Sequence, residues 1–450
     1  MRDRAQGTHI VTILTVGQGQ QYATIAAAVA ASRDGDVVQI QAGTYVNDFA
    51  TIGTKITLQG VGGMAKLIAT IPPPNGKGIL VTTTDVTLDS LELAGAKVAD
   101  RNGAGVRYEG GNLVIINSYV HDNEDGLLAN SAPTGSITIR NSEFANNGGA
   151  EGYSHNLYVN RIASLTIEDS YIHGAVVGHQ IKSRADVTTI TGSRIYDDDG
   201  NGSYSIDLPN GGKAILANNV IQQGANSNNP AIVHFGGEGP AYPGSSLEIS
   251  DTTVINQLGS ASARLLLNQT GVTVGIRNVD VFGLAAGEIA SGPASVRDVT
   301  YLPAAPPLDT SAPWAATSPG GLSLTGTAAA DALTGGAGND TITGGGGWDA
   351  LVGGAGADRF VYANRTDRLD HILDFNAAEG DVVDLAGVFA ATPHPDDMAS
   401  LIAQGFVQLW QREAGVRLSV DLDGGGNGFR GLLWLDGETI ASLGDRMLIA

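Results

Sequence analysis

From residue 86 to residue 281 the chain repeats one short frame. The copies are VTLDSLEL (86–93), LVIINSYV (113–120), ITIRNSEF (137–144), LTIEDSYI (165–172), TTITGSRI (188–195), AILANNVI (214–221), LEISDTTV (247–254) and VGIRNVDV (274–281). Apolar and polar positions alternate on both sides of a fifth residue, the pattern of strands with one face in a core. That fifth residue is Ser90, Asn117, Asn141, Asp169, Gly192, Asn218, Asp251 and Asn278 in turn. Asn, Asp and Gly tolerate a left-handed backbone, so the frame predicts two strands meeting at a bend. The copies recur roughly every 25 residues, a period that means a solenoid of stacked coils. The intervals carry no helical periodicity, which sets aside an alternating α/β fold. Ahead of the frame, TIAAAVAAS (24–32) reads as a short helix.

A second strand set lies between the copies: GVRYE (105–109), GLLAN (126–130), NLYVN (156–160), QIKSR (180–184), SIDLPN (205–210) and IVHFG (232–236). Alternation turns the second and fourth residues inward, among them Leu157 and Val159, Ile181 and Ser183, Ile206 and Leu208. The third and fifth then face outward. On successive coils the third reads Arg107, Leu128, Tyr158, Lys182 and Asp207, and the fifth reads Glu109, Asn130, Asn160 and Arg184. Asp125, His155, His179 and Tyr204 stand just before the strand. Coils are about 4.8 Å apart, so these scattered residues converge on one patch. His179, Lys182, Arg184, Tyr158 and Asp207 are the candidate catalytic residues, and His155, Tyr204, Asn160 and Arg107 the candidate substrate contacts. Lys182 and Arg184 suit a carboxylate, the arginine bidentately. The tyrosines suit stacking on a sugar ring, and His179 is expected to exchange a proton near neutral pH. A plain surface ion pair is the other reading of Lys182 and Asp207. The acidic run Asp197–Asp198–Asp199 reads as a solvated loop.

Across roughly residues 10–300 this frame resembles the right-handed parallel β-helix proteins of the pectate-lyase-like superfamily. QYATIAAAVAASRDGDVVQIQAGTY (21–45) is similar to their opening, a helix that caps the first coil. The resemblance implies β-elimination of a uronic-acid polysaccharide: a neutralised carboxylate acidifies C5–H, a base removes the proton, and an acid protonates the leaving oxygen. The chain departs from characterised relatives. It lacks a clear match to the aspartate cluster that binds catalytic calcium in pectate lyases. The paired acids and G-H-G of polygalacturonase-like hydrolases are absent, with GHQIK (178–182) only a faint echo, and so is the D-P-H-E string of alginate epimerases.

Near the C-terminus the pattern changes to nonapeptides: GGAGNDTIT (335–343), GGGGWDALV (344–352) and GGAGADRFV (353–361), after a weaker GTAAADALT (326–334). Three in-register copies fit G-G-x-G-x-D-x-U-x, the calcium-binding repeat of RTX proteins. A disordered glycine-rich linker would not hold an acid and a hydrophobe at fixed offsets. Asp331, Asp340, Asp349 and Asp358 supply hard anionic ligands. Gly335, Gly336, Gly338, Gly344, Gly346, Gly353, Gly354 and Gly356 let the backbone turn its carbonyls toward Ca²⁺. Ile342, Leu351 and Phe360 fill a parallel β-roll between the ions. Residues 326–450 resemble the C-terminal domain of type I-secreted bacterial proteins such as serralysin-type proteases, which implies export through a type I apparatus and folding on external calcium. Asp421, Asp423 and Asn427 form a further ion site or a surface turn.

The expected fold is thus all-β: a right-handed parallel β-helix (1–302), a Pro/Ala/Ser linker (303–325) and an RTX roll (326–450). Composition sharpens the picture. A net charge of −21 over 450 residues argues against nucleic acid and anionic membrane surfaces. With no cysteine, metal replaces disulfides as the staple. No apolar run spans a bilayer, and MRDRAQGTHIVTILTVGQGQ lacks a conventional signal peptide. These features predict a secreted, extracellular or cell-surface protein that acts on an acidic polysaccharide. The rival reading is a non-catalytic polysaccharide-binding, matrix or adhesin protein. Oligomeric state is not legible.

Overall fold

A computed structural model of the chain describes residues 12–149, 151–239, 241–313, 323–328, 331–367, 369–377, 379–395, 398–412, 415–443 and 447–448. Two compact units meet in sequence at Pro313. The middle of the expected linker, 314–322, lies outside the described residues.

The first unit is a parallel β-helix with three strands to a coil. One coil runs Asn112–Ile116, Tyr119–His121 and Asp125–Ala129, and the next runs Ala132–Arg140, Glu143–Ala145 and Leu157–Val159. Corresponding strands pair in parallel. The left-handed bend falls where the frame places it: φ lies between 47° and 61° at Ser90, Asn117, Asn141, Asp169, Gly192, Asn218, Asp251 and Asn278. Asn141 Nδ2 donates to Asn117 Oδ1 (2.5 Å), and Asn117 Nδ2 donates to Asp89 Oδ1 (3.1 Å). The bend residues therefore repair, along the axis, some of the strain they introduce.

Inside, Leu127, Leu157, Ile181, Ile206, Val233 and Leu266 stack in register, all fully buried. Burial of such columns supplies most of the driving force. A polar column runs beside the apolar ones. Asn123, Asn147, Asn156, Gln180 and Asp197 pass hydrogen bonds of 2.7–3.1 Å from coil to coil. Asp197 is thus no solvated loop residue. It is fully buried, and burial pushes its carboxyl up to about 6. Its neighbour Asp198 pairs with His173 at 2.6 Å, and only Asp199 is exposed. The predicted helix is Ile25–Ala31, capped by Thr24, with Ile25, Ala28 and Val29 set into the core. Asp48 accepts the N–H groups of Ile25 and Ala26, fixing this cap to the first coils. Asp309 and Ser311, inside the expected linker, bind Arg194 of this unit. The first unit therefore continues past residue 302.

In the second unit the nonapeptide strands alternate between two parallel sheets. Ser323–Thr325, Thr341–Thr343 and Arg359–Val361 stack on one, Ala332–Ala337, Ala350–Ala355 and Asp370–Ile372 on the other. Ile342, Leu351 and Phe360 are buried between them, as their place in the repeat predicts. Arg430–Asp436 extends the second sheet and pairs antiparallel with Gly415–Val420. The Asp421 carboxylate accepts the N–H groups of Asn427 and Gly428, which makes 421–428 a tight turn.

Candidate functional site

Register among the third strands of successive coils, the sheet that holds Asp125–Ala129 and Leu157–Val159, decides which side chains share a face. Arg107, Leu128, Tyr158, Lys182, Asp207 and His234 occupy one outward column on consecutive coils. Beside it runs a stack of rings. His155 lies parallel to His179 (4.8 Å), His179 to Tyr204 (5.5 Å) and Tyr204 to His234 (4.4 Å), while Tyr158 stacks on His155 at 5.6 Å. Sequence reasoning stopped at Tyr204. His234 sits at the third position of its own strand, IVHFG, so the alternation rule does place it on this face.

The face is less open than alternation implies. Asp207, His155 and His234 are buried, because rings and ions on adjacent coils cover one another. Asp207 is the hub. Its carboxylate lies 2.9 Å from His234 Nδ1, 3.1 Å from Lys182 Nζ and 3.5 Å from His179 Nε2. Burial opposes its charge, but the His234 hydrogen bond and the Lys182 cation hold it below the usual carboxylate range. The same bond raises His234 above the ordinary imidazole value against the pull of burial. Asp207 is buried and Lys182 half-buried, so their contact is not the exposed pair the alternative reading supposed.

The two inner histidines are uncharged. Burial pushes His179 down to about 4 and His155 to about 2. This corrects the expectation that His179 titrates near neutral pH. His155 Nδ1 accepts the backbone N–H of His179 (2.9 Å), so its ring proton sits on Nε2. The His155 backbone N–H donates to Asp125, whose carboxyl burial raises to about 8.

Arg184 spans the other flank. Its guanidinium reaches Tyr158 Oη (3.3 Å), Asn210 Oδ1 (2.6 Å) and Glu238 Oε1 (2.8 Å), and Glu238 also lies 3.3 Å from Lys182 Nζ. Asn160, Arg161, Arg184, Asn210, Ala241 and Tyr242 line a cavity of about 340 Å³ here. Glu238 and Tyr242 come from a loop outside the repeating frame, so no periodicity announces them. Arg107 does not join the patch. It is buried and locked to Glu109 (2.8 Å) and Asn130 (2.9 Å), two coils from Tyr158.

The acidic residues of the second unit form two columns. Asp331, Asp349 and Asp370 follow one another, each N–H donating to the next carboxylate at 2.9–3.1 Å, and Asp340, Asp358 and Asp381 do the same at 2.8–2.9 Å. Asp349, Asp358 and Asp370 each keep a buried Oδ2 with no hydrogen-bond partner among the described residues. A methyl group at Gly335, Gly344 or Gly353 would collide with the carboxylate of Asp340, Asp349 or Asp358. Burial, aided by mutual repulsion, pushes Asp358 up to about 7 and Asp370 to about 6. Stacked, unsatisfied carboxylate oxygens in glycine cradles fit a hard divalent cation, which would supply the missing positive charge.

No curated protein matches the chain. Among solved structures, it is similar to an alginate lyase from Paenibacillus sp. str. FPU-7, at 16% identity and a TM-score of 0.48 over 64% of this chain and 99% of that one. A pectate lyase matches at 16% identity and 0.32, over 65% and 79%. A pectin methylesterase from Aspergillus niger matches at 12% and 0.27, over 66% and 91%. Residues 325–360 match the RTX calcium-binding nonapeptide repeat in four copies. The chain is a parallel β-helix followed by an RTX nonapeptide array.

Proposed function

We propose that the β-helix unit binds a uronic-acid polysaccharide along the sheet of its third strands and cleaves it by β-elimination. One observation carries this reading: the unbroken ring stack from His155 to His234, flanked by Lys182 and Arg184, runs along the solenoid axis. A surface that repeats along an axis suits a polymer. Arg184 would neutralise a uronate carboxylate and thereby acidify C5–H. His179, uncharged above about pH 4, would accept that proton. Lys182, which shares the Asp207 carboxylate with His179, would protonate the leaving oxygen as the C4–O bond breaks and C4=C5 forms.

A second reading is a non-catalytic binder of the same polymer. It is favoured by the charge balance, since Lys182 already faces Asp207 and Glu238, and Arg184 faces Glu238. Incubation with a panel of uronic-acid polymers, read by ultraviolet absorbance of unsaturated chain ends, separates the two. Turnover that His179→Ala abolishes while binding persists supports the lyase. Binding with no new ends supports the binder. Loss of neither activity nor binding in Arg184→Ala, which should cost roughly 2–5 kcal/mol of binding, refutes both.

The RTX array supports calcium binding and secretion by a type I apparatus. The Asp331–Asp349 and Asp340–Asp358 pairs, together with carbonyls of the glycine turns, would hold about two ions by the oxygen coordination that Ca²⁺ requires. Scarce cytosolic calcium would leave this unit threadable until it emerges outside the cell.

A further inference from the structure

The loop after the strand Ala231–Phe235 folds back against the preceding coil. Glu238 N–H donates to the Pro209 carbonyl (2.9 Å), Ala241 N–H to the Asn210 carbonyl (2.9 Å), and Tyr242 Oη to the Arg184 carbonyl (2.6 Å). The loop is thereby pinned on both sides of Glu238. Its carboxylate forks onto the Arg184 guanidinium, touching both terminal nitrogens, and reaches Lys182 as well. That is how a carboxylate ligand binds arginine. Yet the Glu238 side chain is 47% exposed, so solvent and solutes reach this pair.

Behind it lies the cavity of about 340 Å³. Its six lining residues are neutral or cationic, and two of them are arginines. Arg161 lies over the Tyr242 ring at 5.3 Å and makes no ion pair among the described residues. Asn160 and Asn210 add amide groups to the wall. A cavity with two guanidiniums, two amides and no acid is matched to an anion of carboxylate size. The one carboxylate held there belongs to the protein.

We propose that the Arg161–Arg184 cavity is the carboxylate subsite for a sugar acid, and that Glu238 is its tethered competitor. This rests on the polyuronate reading for the identity of the ligand. A uronate enters by exchanging with Glu238 on Arg184, while Arg161 contributes a second cation that Glu238 does not use. Neutral sugars cannot make the exchange, because they would leave Arg184 without an anion. The competitor thus sets specificity by penalising the wrong ligand, at the cost of some affinity for the right one. Apparent affinity falls by the fraction of molecules whose subsite is free.

The test uses the full chain and Glu238→Gln, which keeps the size but removes the charge and one of the two acceptors that face Arg184. Calorimetry with an oligogalacturonate and its methyl ester should show the variant binding the acid about tenfold tighter, as expected if Glu238 leaves the subsite free about a tenth of the time. The ester should gain at least as much, because the penalty on ligands that leave Arg184 without an anion goes with the Glu238 charge, and adding Arg161→Ala should reverse the gain of the acid. Equal or weaker binding of the acid by Glu238→Gln overturns the proposal while leaving the polyuronate reading intact. If neither protein binds the oligomer, melting in acetate against chloride at equal ionic strength decides the subsite alone. Acetate stabilising the variant more than wild type upholds the competitor and fails only the polymer reading. No difference sinks it.

Discussion

Asp207 and His234 are 27 residues apart in sequence and one coil apart in space, joined by a 2.9 Å hydrogen bond between carboxylate and imidazole. The same carboxylate holds Lys182. Replacing it with an amide leaves the buried His234 imidazole without its anion and the half-buried Lys182 ammonium with Glu238 alone. Asp207→Asn should therefore destabilise the β-helix by roughly 3–5 kcal/mol, the cost of breaking one side of a buried pair. All four tryptophans, at 314, 348, 410 and 434, follow Pro313. Far-ultraviolet circular dichroism in urea, not tryptophan fluorescence, is the measurement that checks this. A variant that melts with wild type would show that the pair contributes nothing.

The left-handed bends make a second, graded expectation. Asn141 has φ of 47° and donates to Asn117. Asn141→Gly keeps the backbone but loses the bond, which is worth about 1 kcal/mol. Asn141→Ala loses the bond and adds a Cβ penalty of roughly 1–2 kcal/mol. The alanine variant should thus be the less stable of the two in equilibrium denaturation. The reverse order would mean that chain entropy, not bend geometry, governs the position.

Those bends were legible because each coil must place a residue that tolerates positive φ at the same step, and few side chains do. The inward columns were legible for the same reason, since alternation leaves no choice of side. The site was legible only in part. Tyr158, Lys182 and Asp207 follow from alternation, but their burial does not, because cover comes from the coil above and not from neighbours in sequence. Asp197 shows the limit from the other direction. Its DDD context reads as solvated, yet the amide column ending at Gln180 draws it into the core. Glu238, Asn210 and Tyr242 act through a loop and a turn whose positions only the folded coils define.

The buried histidines should make the β-helix acid-sensitive, against an offset from its buried carboxyls. His155 and His179 have folded values near 2 and 4, below the ordinary imidazole value of 6.5. The unfolded chain therefore binds more protons below about pH 6.5, and stability falls as pH falls, until each folded value is passed. For His179 alone the loss is on the order of 3 kcal/mol. His234 acts oppositely: its raised value contributes stability below 6.5 that fades as pH rises through the folded value. Asp125, raised to about 8, and Asp197, raised to about 6, also favour the folded state as pH falls toward about 4, and so offset the two histidines. On the acid limb of melting temperature against pH, below about 6.5, His179→Gln should lose less stability than wild type. An unchanged limb in that variant would assign the acid sensitivity elsewhere.

Calcium should act on the second unit and spare the first. The unsatisfied Oδ2 atoms of Asp349, Asp358 and Asp370 lie in the second unit, and among the described residues of the β-helix no carboxylate oxygen is buried without a partner. Without a cation, stacked carboxylates repel one another, and their burial is uncompensated. With one, binding energy becomes folding energy for the roll. Trp348, Trp410 and Trp434 lie in this unit and report on it directly. In the full chain, chelator should change tryptophan emission and protease sensitivity after Pro313, while the β-sheet dichroism of the first unit persists. Asp358→Asn removes the central carboxylate of the Asp340–Asp358–Asp381 column, so it should raise the calcium concentration needed for the emission change by tenfold or more, the order expected for loss of one charged ligand. Emission that is identical in chelator and in millimolar calcium would show that the roll folds without the ion, and would end the calcium assignment.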